Sequence, residues 1–239
     1  MKAVLFDFFG TLVNYSNSRV AQGYQATHSF LGEIGLDIDY GEFLQRWVNA
    51  HEECDSEREV SGREYRMQDV SDKFLAGFGP KEWPESIASR LWNLYISEWS
   101  TGIKPIPGVS EMLKELRGRC KIGVVSNTQT EGLIHEQLDR IGVRPYVDVV
   151  VTSVEHGLPK PDPSIFHLAL DLVGCTAADA LFVGDSYVHD YIGATNVGMK
   201  ALLISPMSES RAPLSDTIES VLEVGERLFP GVVAEKVIY

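Results

Sequence analysis

Asp7 closes the apolar run "AVLFDFF", Ser126 and Asn127 end "KIGVVSN", and Asp185 ends "ALFVGDS", with Asp190 five residues further on. Lys160 lies between them in sequence, in "GLPKPDPSIF". Two carboxylates at neighbouring strand tips suit a hard cation such as Mg2+, which takes oxygen ligands and keeps several waters. A hydroxyl, an amide and an ammonium at the same crevice would supply donors for an anion whose charge the cation partly neutralises, and phosphate fits that description. Each residue also has a plainer reading. Asp7 and Asp190 can cap the turn or helix that follows, Ser126 and Asn127 can end a strand, and Lys160 can be a solvated loop lysine.

The elements that must position these groups are legible as alternating runs. "AVLFDFF", "KIGVVSN", "VDVVVTS", "ALFVGDS" and "KALLISP" are nearly continuously apolar, as strands buried on both faces are. Helical patterns "QTEGLIHEQLDRIG", "DPSIFHLALDLVG" and "HDYIGATNVG" separate the last four, which predicts an α/β fold with a doubly wound parallel sheet. In such a sheet ligands bind beyond the carboxyl ends of the strands, where the polar residues above fall. Gly10 and Thr11 just after Asp7 predict a sharp turn that presents the carboxylate at the strand tip.

Residues 14–100 contain helical patterns and no strand, which predicts a helical insertion between the first two strands; "KPIPGVSEMLKELRGR" then returns to the sheet. The aromatics Trp47, Tyr65, Trp92, Tyr95 and Trp99 stand at helical spacing and are expected in the insertion's core. The apolar tail "LFPGVVAEKVIY" is not assigned to an element.

Composition narrows the function. A net charge of -13 argues against a nucleic-acid binder, since that affinity rests on clustered Lys and Arg. The short N-terminal apolar run leads directly into Asp7, and no run of membrane-spanning length follows, so no membrane partner is expected. Cys54, Cys120 and Cys175 are odd in number, widely spaced and without a CxxC, which suits reduced thiols and a cytoplasmic location.

Four ordered motifs, the Asp7 loop, the Ser126 tip, Lys160 in "KPDPSIF" and "GDSYVHD" with Asp185 and Asp190, resemble those of the haloacid dehalogenase superfamily, whose members are mostly phosphatases. The resemblance implies a Rossmann-like core from residues 1–13 and 101–239 and a helical cap over the site from 14–100. It implies Asp7 as nucleophile, Ser126 and the backbone of Asn127, with Thr11, as binders of the transferred group, and Lys160 steadying both. Mg2+ would be held by Asp7, the Phe9 carbonyl, Asp185 and Asp190. The implied partner is a small-molecule phosphate ester, and the implied assembly a monomer or homodimer.

One position departs from the phosphatase pattern, which carries a second Asp two residues after the nucleophile to protonate the leaving group and later activate water. Here that residue is Phe9, which transfers no proton. His28, His51 or His189 are candidate substitutes. The 2-haloacid dehalogenase branch also lacks the second Asp and has an aromatic there; halide leaves unprotonated, and Arg46 would then bind a substrate carboxylate. Against it, that branch replaces the residue matching Asp185 by a small neutral one and places Asn at the position of Tyr187. A carbon–phosphorus-cleaving branch needs a cap lysine for a Schiff base, and the insertion offers only Lys73 and Lys81. A binding protein that kept the fold and lost turnover is the alternative from another class.

Overall fold

The computed structural model describes residues 1–16, 18–79 and 82–230. Lys81 and the end of the apolar tail, 231–239, lie outside them.

The chain divides into two compact units, one comprising Met1–Asn14 and the chain from Pro105 onward, the other Tyr15–Lys104. Among the described residues are eight strands: β1 (Ala3–Phe6), β2 (Val13–Asn14), β3 (Lys104–Pro105), β4 (Lys121–Ser126), β5 (Val149–Thr152), β6 (Ala180–Gly184), β7 (Lys200–Ile204) and β8 (Thr217–Ile218). Six form a sheet in the order β5-β4-β1-β6-β7-β8, and every pairing in it is parallel. The order reverses beside β1, so β4 and β6 flank it. All four residues of β1 and all five of β6 are buried, which is why both read as unbroken apolar runs. The two-residue β8 is too short to show a period, and the sequence does not reveal it.

The described residues of the insertion form the helices α1 (Gln25–Glu33), α2 (Tyr40–Ser61), α3 (Met67–Ala76) and α4 (Glu85–Ser100). Asp39 opens α2 by accepting the Glu42 N–H at 2.9 Å, and Gly62, at φ 70°, closes it. Phe43, Trp47, Ala50 and Cys54 form the buried stripe of α2 at helical spacing. They pack with Tyr24, Phe30, Leu31, Phe74, Leu91 and Tyr95, while Trp92 and Trp99 lie partly buried against that cluster. The compact unit runs a little past α4 because Thr101, Gly102 and Ile103 bond back to Glu98, Trp99 and Ser100, and Ile103 is buried.

The sheet unit adds α5 (Val109–Arg117), α6 (Leu133–Arg140), α7 (Ser153–His156) and α8 (Pro163–Val173). Asp162 caps α8 through the Ser164 N–H, with Pro163 at its first position. Cys54, Cys120 and Cys175 are free thiols, and no helix among the described residues is long and apolar enough to cross a membrane.

His51 lies in the insertion's aromatic core, 4% exposed, and neither ring nitrogen has a protein partner. Desolvation, with a smaller contribution from Arg19, pushes its pKa down to about 3. The unfolded chain therefore takes up a proton near pH 6.5 that the fold refuses until far lower. Stability should be lost as pH falls below 6.5, by about 2–3 kcal/mol at pH 4.5. His51→Phe, which removes the unpaired nitrogens, should remove that acid slope and gain about 1 kcal/mol at pH 7. Denaturant midpoints of both proteins across pH 4.5–8 check this; parallel curves would refute it.

Candidate active site

The pairing register sets where the strand tips fall. Phe6 lies level with Val124 of β4 and Val183 of β6, so the next residue out, Asp7, stands at the centre of the sheet's carboxyl edge. Its N–H extends the ladder by one bond, to the Val183 carbonyl at 2.9 Å. The chain then folds back on itself: the Phe8 carbonyl accepts from the N–H groups of Thr11, Leu12 and Val13, and Gly10 donates to the Val13 carbonyl. Gly10 takes φ 81°, and a Cβ there would fall 2.2 Å from an Asp185 carboxylate oxygen. Glycine is thus required twice over, by the turn and by the approach of Asp185.

Asp185 follows β6 directly and is exposed, whereas Asp190 returns to the site from a π-helical segment, Tyr187–Ile192. The wide turn carries Asp190 back beneath the strand end, where the Ser186 N–H donates to Asp190 Oδ2 at 2.9 Å. Gly184 leaves the room: a Cβ there would lie 2.3 Å from Asp190 Oδ2. Gly184→Ala should push Asp190 aside and cost about 1–3 kcal/mol. Its denaturant midpoint checks this, and an unshifted midpoint would count against the placement of Asp190.

Lys160 is 2% exposed, on the loop between α7 and α8, and its ammonium bridges two carboxylates: Nζ lies 2.6 Å from Asp7 Oδ1 and 2.7 Å from Asp190 Oδ1. It also sits over the Phe182 ring at 5.3 Å. Burial alone would lower its pKa, but Asp190 and Asp7 together raise it, so the ammonium stays charged. Burial pushes the Asp7 carboxyl up to about 7; Lys160 opposes this, while Asp190 and Asp185 add to it. Asp185 is exposed as a residue, but its carboxyl packs against Gly10, where desolvation and then Asp190 push it up to about 6.

The chemistry of this set suits a divalent cation. Asp7, Asp185 and Asp190 each offer a carboxylate oxygen, and these atoms all lie within 4.8 Å of one another. With all three ionised, three carboxylates against one ammonium leave two negative charges in excess, which a hard cation would neutralise.

The structure brings together most of the residues singled out from sequence. Thr11 is fully buried with its hydroxyl 3.4 Å from Asp7 Oδ2, the other oxygen from the one Lys160 holds. Ser126, at the tip of β4, is fully buried and its hydroxyl has no hydrogen-bond partner. Asn127 joins the site through Lys160, whose backbone its side chain holds. Phe9 is half-buried, its ring edge-on to Phe8 at 5.0 Å. Gly184 as a spacer, and the Ser186 N–H that orients Asp190, left no signal in the sequence.

The other candidates are held by partners of their own or, for His51, buried in the insertion's core. Arg46 bonds Glu42 and the Gly77 carbonyl and lies over the Phe78 ring, all within the insertion. His28 Nε2 meets the Ile38 carbonyl at 2.8 Å, His189 Nδ1 meets the Ser186 hydroxyl at 3.1 Å, and His51 is buried and neutral. Lys73 pairs with Glu57 at 2.6 Å, which raises its pKa and keeps it from serving as a neutral amine.

Known proteins resemble this chain in sequence and in fold. The sequence model of the haloacid dehalogenase-like hydrolase family matches residues 1–198. Over 213 residues, 88% of this chain and 87% of the relative, the sequence is 29% identical to a ribulose-1,5-bisphosphate 5-phosphatase of Halopiger xanaduensis. The structure of a haloacid dehalogenase-family phosphatase from Thermococcus onnurineus aligns over 96% of this chain and 98% of that one, at TM-score 0.65 and 26% identity. A 2-haloacid dehalogenase from Pseudomonas syringae shares the fold at TM-score 0.73 and 20% identity, over 95% of this chain and 98% of that one. Through the family match over most of its length, the chain belongs to the haloacid dehalogenase-like hydrolases.

Proposed function

We propose that this hydrolase is a Mg2+-dependent phosphatase of small phosphorylated molecules that works through an aspartyl phosphate on Asp7. The observation that carries the reading is the contact of one buried ammonium, Lys160, with both Asp7 and Asp190 at the edge where Asp185 also stands. The phosphatase relatives support it.

Asp7 attacks phosphorus, forming a carboxylate–phosphorus bond as the ester oxygen departs. Lys160 lets the anionic carboxylate meet an anionic phosphate and stabilises the charge that spreads over the phosphoryl oxygens. The unpartnered Ser126 hydroxyl donates to one of those oxygens, and Thr11 orients the Asp7 carboxylate. Water then cleaves the acyl phosphate, releasing phosphate and restoring Asp7. Mg2+, held by Asp7, Asp185, Asp190 and the Phe9 carbonyl, would supply the positive charge that the single ammonium leaves lacking. With Phe9 in the loop, the second step is the slow one, and leaving groups that need no proton are favoured.

Phe9 also motivates a second reading, attack of Asp7 on carbon with loss of halide. A panel of phosphate esters and 2-haloacids, each assayed with Mg2+ and with chelator, separates the two. Phosphate release that stops with chelator is expected. Metal-independent halide release would overturn the phosphatase reading, and Mg2+ binding without turnover on any substrate would favour a binding role.

A further inference from the structure

Asn127 stands one residue beyond β4, and its carboxamide spans the backbone of Lys160. The Lys160 N–H donates to Asn127 Oδ1 at 2.8 Å, and Asn127 Nδ2 donates to the Lys160 carbonyl at 3.0 Å. Only oxygen can accept from the Lys160 N–H, which fixes the orientation of the amide. A carboxamide carries donor and acceptor in one fork, so it can hold both main-chain groups of a single residue.

Lys160 needs such a holder. It lies in the loop between His156, which ends α7, and Pro163, which opens α8, so no helix or strand fixes its backbone. Its long side chain must nevertheless keep its ammonium at 2.6 Å and 2.7 Å from two carboxylates.

We infer that the Asn127 side chain is a positioning residue for Lys160: it sets the Lys160 backbone so that the ammonium sits between Asp7 and Asp190, and it does not bind the substrate. The kinetic consequences rest on the phosphatase reading, whereas the geometry does not. Hydrolysis of p-nitrophenyl phosphate with Mg2+ should lose about 10- to 100-fold in kcat in Asn127→Ala, with KM little changed. Asn127→Asp keeps the acceptor and loses the donor, so its loss should be smaller, and it serves if the alanine variant does not fold. If Asn127 acts through Lys160, the double variant with Lys160→Met should be no slower than Lys160→Met alone.

A second measurement needs no turnover. Acetic anhydride labelling of the native protein, read by mass spectrometry, should modify buried Lys160 far more slowly than exposed Lys114. Asn127→Ala should raise labelling of Lys160 about tenfold and leave Lys114 unchanged. Unchanged Lys160 labelling in both Asn127 variants would overturn the inference, as would additive losses in the double variant or a raised KM at constant kcat. If the wild type hydrolyses no phosphate ester, the phosphatase reading fails while the labelling still decides the role of Asn127.

Discussion

Asp7→Asn should abolish turnover, by about 10,000-fold or more, and at the same time raise the thermal stability of the metal-free protein above pH 7. The first effect follows because an amide oxygen is no substitute for a carboxylate that must form and then release a bond to phosphorus. The second follows from the cost of the site itself. Burial is the main reason that the Asp7 carboxyl is pushed up to about 7 from its ordinary 3.8, and the neighbouring Asp190 and Asp185 add to it. A carboxyl raised in the fold is held ionised against its preference, so the destabilisation is complete above pH 7 and vanishes below about pH 4. Asparagine keeps the shape and can still accept from Lys160 without the charge. The gain in Tm should therefore appear above pH 7 and shrink towards pH 4. Mg2+ should raise the Tm of the wild type more than that of the variant, since one of three carboxylates is gone. Retention of even a few per cent of wild-type activity would remove Asp7 from the nucleophile's role. A Tm that falls at every pH would show that the site is a stabilising ion-pair cluster and not a strained one.

The parts of this site that could be read from sequence are those set by local pattern. Strands buried on both faces are apolar throughout, so a carboxylate or hydroxyl that interrupts them marks a tip, as Asp7, Ser126 and Asp185 do. What escaped depends on contacts between distant segments. The bonds of Asn127 to Lys160 join residues 33 apart, and the space that Gly184 leaves matters only because the π-helical turn brings Asp190 back against it. In the insertion, α3 keeps a helical period through Met67, Val70, Phe74 and Leu75, with Gln68, Asp69, Asp72 and Lys73 standing between them. The compact unit that holds α1 to α4 runs to Lys104 because the turn after α4 packs Ile103 into it.

Phe9→Asp should raise hydrolysis of alkyl phosphates by about 100-fold and that of aryl phosphates by much less. General acid–base catalysis is typically worth about 100- to 10,000-fold, and the lower figure suits a carboxyl placed without evolved support. By the motif resemblance, position 9 is where the second Asp of the phosphatases stands. Phe9 stands two residues past Asp7 in a turn fixed by the Phe8 carbonyl and by Gly10, through bonds that do not involve the Phe9 side chain. Replacing Phe9 removes its edge-on contact with Phe8, at a cost of about 1 kcal/mol, and leaves the turn in place. An alkoxide departs slowly unless protonated, whereas p-nitrophenolate departs without help, so a new acid should act on the first substrate class and spare the second. The same carboxyl, once it has given up its proton, can activate water against the aspartyl phosphate, so any burst of leaving group in the wild type should flatten in the variant. Equal gains on both substrate classes would mean that Phe9 limits access and not proton transfer. No gain on either, with Mg2+ still bound, would mean that phosphate transfer is not the chemistry of this site. The dehalogenase reading predicts the opposite sign, because halide needs no proton and a second carboxylate beside Asp7 would repel a haloacid.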